Sequence, residues 1–140
     1  MAKIISTEII IKATPEKVWS ILTGFNQYPS WNPFIISLKG EVQTGNQITV
    51  SIQPPDSKGM TFKPTVLSRI DNHELSWRGR LLFRGLFDGE HKFELIHNED
   101  GTTTFIQSEK FEGIFVPLLN IENTKKGFEA MNSKLKQRAE

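Results

Sequence analysis

The sequence contains no cysteine. A thiol nucleophile, a disulfide framework and every cysteine-ligated zinc or iron–sulfur site are therefore excluded. An excess of charge of one sign is also missing, because 17 basic and 16 acidic residues leave a formal net charge of +1. This balance gives no argument for a nucleic-acid partner. No apolar run approaches membrane-spanning length, and the N-terminal apolar stretch is too short and too interrupted for a signal peptide. We therefore expect a cytoplasmic protein without stable membrane insertion.

Linkers, repeats and low-complexity tracts are missing as well, so the 140 residues are expected to form one domain, 1–140. This length suffices to bury a substantial core without the help of metals or disulfides. Of the three histidines, His73 and His97 lie at or near predicted turns, with no acidic partner at ligand spacing. We therefore predict no metal site and no cofactor.

The N-terminal third predicts a strand followed by two short helices. Residues 3–12 alternate imperfectly and are rich in isoleucine, which is typical of a strand. Thr14, Pro15 and Glu16 supply a hydroxyl N-cap, a proline at the first helical position and an acid in the first turn. This helix is expected to end at Gly24, and a second short one before Asn32, the residue that precedes a proline.

The remainder of the chain predicts an antiparallel meander and then one long helix. Residues 34–113 show period-two alternation interrupted by turn signals, which indicates five or six strands. Pro64 within this region suggests an edge or a bulge. Residues 117–140 carry an apolar stripe at helical spacing, and Gly127 interrupts it at a cost of about 1 kcal/mol relative to alanine. Close packing against the sheet is the usual reason for such a glycine, and room for a ligand is the alternative.

A run of aromatic residues follows the first helix: Phe25, Tyr28, Trp31 and Phe34 stand three residues apart in FNQYPSWNPFI, residues 25–35. Aromatic rings are large and rigid, and tyrosine and tryptophan also carry a polar group. Such a run suits either of two roles. The rings can fill the core, or at least one of them can contact a ligand.

Counting residues outward from a predicted β-turn places a histidine opposite a glutamate on one face of the sheet. The sequence of residues 97–102 is typical of a hairpin whose type I turn ends in a glycine with left-handed backbone conformation. Asn98 then pairs with Thr102, and His91 falls opposite Glu109. Cross-strand partners share a face, and this face is the more apolar one. The pair can be a satisfied structural contact, a contact that orients a ligand, or a general acid–base couple. A four-residue loop would instead place His91 opposite Ser108.

Five motifs give the chain a resemblance to the START-like helix-grip superfamily, in its polyketide cyclase/dehydrase and lipid transport branch. They are ATPEKVW (13–19), YPSWNPF (28–34), LSWRG (75–79), GEHKF (89–93) and SEKFEG (108–113). The resemblance covers essentially the whole chain. It implies an α+β fold in which a curved antiparallel sheet of six to seven strands grips a long C-terminal helix. Two short helices would stand between the first two strands, and a cavity would lie between sheet and helix.

The resemblance and the residue patterns together favour a binder or carrier of a small hydrophobic, lipid- or polyketide-like molecule. His91, Gln107 and Glu109 would orient the ligand. The complete set of predicted ligand contacts is Tyr28, Trp31, Phe34, Phe62, Trp77, His91, Phe93, Phe105, Gln107, Glu109, Phe111 and Phe128. We expect a monomer or a weak homodimer.

Two other classes of function remain open at this point. The first is a cyclase, aromatase or dehydratase that acts on a polyketide-like substrate with His91 and Glu109 as acid and base. The second is a protein-interaction domain like the chaperone-activating relatives of the superfamily. An exposed apolar patch at residues 81–87 would distinguish this last class.

Overall fold

The computed structural model describes residues 2–80, 88–113 and 120–140. Residues 81–87, where an exposed apolar patch would distinguish an interaction domain, lie outside the described residues, and so do the predicted first residues of the last helix, 117–119. The strands are β1 (Ala2–Ile11), β2 (Ile35–Lys39), β3 (Thr49–Ile52), β4 (Met60–Phe62), β5 (Thr65–Ile70), β6 (Glu74–Arg80), β7 (Asp88–His97) and β8 (Thr103–Glu112). The helices are α1 (Pro15–Leu22), α2 (Tyr28–Trp31) and α3 (Ile121–Ala139), with a 3₁₀ turn at Phe25–Gln27.

The strands form two antiparallel sheets, one with the order β1-β8-β7-β6-β5 and one with the order β2-β3-β4. The α+β fold is as predicted, but the described residues hold eight strands where six to seven in one sheet were expected. Pro64 accounts for part of the difference. It has no N–H to donate, and it stands between β4 and β5. Backbone hydrogen bonds still connect the segment before β3 to the chain around Pro64 and β5, from Gly45 N to the Val66 carbonyl at 2.8 Å and from Ile48 N to the Pro64 carbonyl at 2.9 Å.

The β7–β8 hairpin has the predicted register. Asn98 N donates to the Thr102 carbonyl at 2.9 Å, and Gly101 N donates to the Asn98 carbonyl at 3.0 Å. Gly101 has a φ of +88°, the left-handed conformation that favours glycine at this point of the turn. His91 accordingly pairs with Glu109, so the two side chains stand on the same face of the sheet.

The helices begin at capping residues. Thr14 Oγ1 accepts a hydrogen bond from Lys17 N at 3.3 Å, with Pro15 at the first helical position, as predicted for α1. Asn120 caps α3 by accepting from Asn123 N at 3.1 Å. The buried residues of α3 are Gly127, Phe128, Met131, Asn132, Leu135 and Ala139. Their helical spacing turns one face of α3 toward the sheet, and this is the helix grip that positions the site.

The helices in the described ranges include none that is both long and apolar enough to cross a membrane.

Candidate functional site

The site is a polar cluster on the inner face of the five-stranded sheet, beneath α3. His91 Nδ1 lies 2.8 Å from Oε1 of Glu109, and His91 Nε2 lies 3.0 Å from Oε1 of Gln107. His91 is 4% exposed and Gln107 is fully buried. Strand alternation accounts for the grouping, because β7 and β8 place all three side chains on one face. The predicted pair therefore exists, and Gln107 joins it.

Two residues that the sequence did not single out extend this cluster to α3 and β1. Gln107 Nε2 donates to Oδ1 of Asn132 at 2.8 Å, and Asn132 Nδ2 donates to Oγ1 of Thr7 at 2.9 Å. The Thr7 hydroxyl donates to the main-chain carbonyl of Gln107 at 2.9 Å. The one available signal was that Asn132 interrupts the apolar stripe of the last helix. We call Thr7, His91, Gln107, Glu109 and Asn132 the inner network.

The hydrogen bonds of the inner network have one consistent direction. The main-chain carbonyl of Gln107 can only accept, so the Thr7 hydroxyl donates its single hydrogen to that carbonyl. Thr7 must then accept from the amide nitrogen of Asn132, which turns Oδ1 of Asn132 toward Gln107. Gln107 consequently donates through Nε2 and presents Oε1 to the imidazole. His91 therefore carries a hydrogen on Nε2.

The remaining contact, between His91 Nδ1 and Glu109, must also contain a hydrogen. Two bare lone pairs 2.8 Å apart would repel each other. The hydrogen lies either on Nδ1, as an imidazolium–carboxylate pair, or on Oε1, as a neutral pair. Both ring nitrogens of His91 are thus occupied by protein groups, and so are the amide atoms of Gln107.

Aromatic rings surround His91. Trp77 stacks on the imidazole with a centroid separation of 5.2 Å and an interplanar angle of 11°. Phe93 and Phe128 approach it edge-on at 4.8 and 5.0 Å. A low-dielectric shell of this kind strengthens the hydrogen bonds inside it and makes any unpaired polar atom costly.

The predicted ligand contacts form the core in this conformation. Tyr28, Phe34, Trp77, Phe93, Phe105, Phe111 and Phe128 are at most 4% exposed, and Trp31 and Phe62 are partly buried against them. Phe93 and Phe105 stack at 5.7 Å, and Phe34 meets Phe128 edge-on at 5.3 Å. These rings would have to move to admit a ligand.

Two concavities on the described part of the protein are not lined by any of these rings. One, of about 30 Å³, is lined by charged residues on the outer face of the sheet: Arg78, Asp88, Glu90, Lys110 and Glu112. The other, of about 560 Å³, is a surface concavity between residues 23–27 and 38–40. Within the described parts of the chain, no group of three or more histidine, aspartate or glutamate side chains is placed to hold a metal ion.

The residues of the aromatic run at 25–35 pack against different parts of the core. The Tyr28 ring is fully buried, packs edge-on against Phe25 at 5.6 Å and Trp31 at 5.4 Å, and donates its hydroxyl hydrogen to the Leu22 carbonyl. Tyr28 therefore ties α2 to the last turn of α1. Phe34 packs instead over Gly127 of α3, which agrees with the close-packing interpretation of that glycine.

Burial raises the pKa of the Tyr28 hydroxyl well above its ordinary value of 10.0. Folded protein therefore keeps the proton after the unfolded chain has lost it. The free energy of unfolding should be unaffected by Tyr28 below pH 10 and should fall above it by about 1.4 kcal/mol per pH unit. Tyr28 is the single tyrosine, so tyrosinate absorbance reports it alone and should appear only when the protein unfolds in alkali. Tyrosinate in a protein with native circular dichroism would contradict this, and Tyr28→Phe is the matched control for other alkaline effects.

Solved structures show what the fold is similar to. A START superfamily protein from Mycobacterium smegmatis is 17% identical, with a TM-score of 0.75 over 97% of this chain and 96% of that one. The major latex-like protein 151 from Panax ginseng is 11% identical, with a TM-score of 0.79 over 100% and 99%. A hypothetical protein from Helicobacter pylori is 14% identical, with a TM-score of 0.80 over 99% and 88%. At such identities the likeness shows the fold alone.

Comparison of the sequence with curated proteins found no match. The family model described as polyketide cyclase/dehydrase and lipid transport, in contrast, matches residues 2–140. This match spans every described strand and helix. The chain therefore belongs to the polyketide cyclase/dehydrase and lipid transport family.

Proposed function

We propose that this protein binds or carries a small hydrophobic molecule that bears a polar group, in the space between the five-stranded sheet and α3. The observation that carries the proposal is the inner network, which sets hydrogen-bonding groups in the middle of an aromatic core. An apolar core of the same shape would avoid the desolvation of these groups. A polar cluster that orients one end of an apolar ligand gives a reason to retain them.

The family match and the aromatic shell support the same class of ligand. Trp77, Phe93 and Phe128 are the rings in contact with His91, and planar apolar molecules stack favourably on such rings. A ligand that enters by displacing them would replace ring–ring contacts with ring–ligand contacts. The apolar burial on which the core depends would then be conserved.

An acid–base role for His91 has weaker support than binding. A general base must present a free lone pair to the proton it removes, and both ring nitrogens of His91 are bonded to Glu109 and Gln107. His91 is therefore better described as a positioning residue that holds Glu109. The residues 81–87, on which an interaction-domain function would depend, lie outside the described ranges.

Native mass spectrometry of freshly purified protein, followed by organic extraction, tests the proposal. We expect a stoichiometric small apolar molecule. If the protein is purified empty, a library of lipids and polyketide-like aromatics should contain members that raise its melting temperature, because a ligand that binds only the folded state stabilises it. An empty protein that no library member stabilises would overturn the proposal.

Tryptophan fluorescence locates the bound molecule. Trp77 stacks on His91 inside the site, whereas Trp19 is buried in α1. A ligand that enters between sheet and α3 should change the emission of Trp77. This change should be lost in Trp77→Phe and kept in Trp19→Phe, which is the matched control. Retention of the full change in Trp77→Phe would place the ligand elsewhere.

A further inference from the structure

We infer that the polar group of the ligand is a hydrogen-bond donor, a hydroxyl or an N–H, and that Oε2 of Glu109 accepts it. The inference deepens the proposed function and rests on it. It follows from the direction of the hydrogen bonds in the inner network, which decides which atoms are still available to a ligand.

The polar side-chain atoms of His91, Gln107 and Asn132 are buried, and each already has a protein partner. Both nitrogens of His91 face protein oxygens. Gln107 contacts His91 through Oε1 and donates through Nε2 to Asn132 and to the main-chain carbonyl of Phe128. Asn132 accepts from Gln107 and donates to Thr7. The Thr7 hydroxyl already donates to a carbonyl and accepts from Asn132. These four residues are at most 7% exposed, so a ligand would have to displace the buried groups around them to reach their remaining hydrogen-bonding capacity.

Glu109 differs from the rest of the network. Its Oε1 faces His91 Nδ1, whereas Oε2 has no hydrogen-bond partner among the residues that the structure describes. The Glu109 side chain is 17% exposed, compared with 5% for His91. Glu109 is therefore the most exposed residue of the inner network, and a ligand that contacts Oε2 breaks no hydrogen bond between the described residues.

Oε2 is an acceptor in both permitted protonation arrangements. If the shared hydrogen lies on Nδ1 of His91, Glu109 is a carboxylate and both of its oxygens accept. If the hydrogen lies on Oε1, Oε2 is the carbonyl oxygen of a neutral acid and still accepts. The specificity consequently does not depend on which arrangement is populated. A ligand hydroxyl or N–H is favoured, whereas a ligand carboxylate, ketone or ether would set lone pairs against lone pairs.

Gly89 provides the space that the Glu109 carboxylate occupies. It pairs with Phe111 across the β7–β8 ladder on the inner face, and a Cβ added there would overlap Oε2 of Glu109. Any larger residue at position 89 would push the carboxylate from its place. A glycine inside a strand weakens the strand, and such a glycine often marks a place where another group approaches the backbone closely.

Three probes of nearly equal shape test the inference: β-naphthol, β-naphthyl methyl ether and β-naphthoate, titrated against the full chain and followed by calorimetry. Only the naphthol can donate a hydrogen bond, and hydrogen bonds to charged groups are the stronger kind. We expect the naphthol to bind about tenfold more tightly than the ether and the naphthoate to bind more weakly than the ether. Equal affinities of naphthol and ether would overturn the inference and leave the proposed function standing. Failure of all three probes, and of the library above, would overturn both.

Variants assign the preference to Glu109. In Glu109→Met the naphthol should lose its advantage, to within about twofold of the ether, while both still bind. Glu90→Met, one residue from His91 in the sequence but on the outer face, is the matched control and should keep the tenfold preference. If Glu109→Met does not fold, Glu109→Gln serves instead. Its amide can donate to Nδ1 and leave an oxygen in the place of Oε2, so the preference should weaken but keep its sign. A preference that is unchanged in Glu109→Met, or reversed in Glu109→Gln, would contradict the assignment.

Discussion

Replacing Gln107 by leucine is expected to lower the free energy of unfolding by about 3 to 5 kcal/mol, since removing one partner of a buried polar contact costs about 1 to 3 kcal/mol per group left unpaired. Gln107 is fully buried. Its loss would leave Nε2 of His91 and Oδ1 of Asn132 without partners. Leucine has a similar volume, so the cost is expected to come from the unpaired groups rather than from a cavity.

Urea denaturation of wild-type and Gln107→Leu protein measures this difference. Gln43→Leu is the matched control, because it makes the same chemical change at an exposed position. The control should stay within about 0.5 kcal/mol of wild type. A Gln107→Leu variant as stable as the control would show that the inner network contributes nothing to folding.

Replacing Gly127 by valine should lower the free energy of unfolding by about 3 kcal/mol, as expected for overpacking of a rigid core. A Cβ at position 127 would lie 2.5 Å from Cδ1 and 2.8 Å from Cε1 of Phe34. The Phe34 ring is 2% exposed and packs against Phe128, so it has little room to retreat. Valine is the better helix former, by roughly 0.5 kcal/mol, and this gain is too small to offset the overlap.

Thermal and urea denaturation give the comparison. Ser133→Val, at an exposed position of the same helix, is the control for placing a β-branched residue in α3 and should cost less than about 0.5 kcal/mol. The double variant Gly127→Val with Phe34→Ala should recover part of the loss, because the two residues are in contact. A loss in Gly127→Val that is no greater than the loss in Ser133→Val would mean that α3 does not approach the sheet this closely.

Local chemistry was enough to predict much of this fold. The register of the β7–β8 hairpin follows from the turn at Asn98–Gly101, because a left-handed glycine at a known point decides which residues oppose each other. Thr14 and Pro15 likewise placed the start of α1. From these local rules His91 and Glu109 could be paired, and with them the part of the candidate site that lies within one hairpin.

Contacts between distant parts of the chain were beyond these rules. Thr7 and Asn132 are 125 residues apart and hydrogen-bonded, and neither carries a motif. The division of the meander into two sheets and the direction of the hydrogen bonds in the inner network are likewise set by contacts between elements remote in sequence.

The physical difference is one of range. Turns, caps and strand alternation depend on backbone geometry within a few residues, so the amino-acid order alone specifies them. The protonated nitrogen of His91 depends on a closed circuit through β1, β8 and α3, which exists only after the helix has docked on the sheet. His91, Gln107 and Glu109 could thus be singled out from the sequence, whereas Thr7, Asn132 and the direction of the hydrogen bonds that join all five residues required the assembled fold.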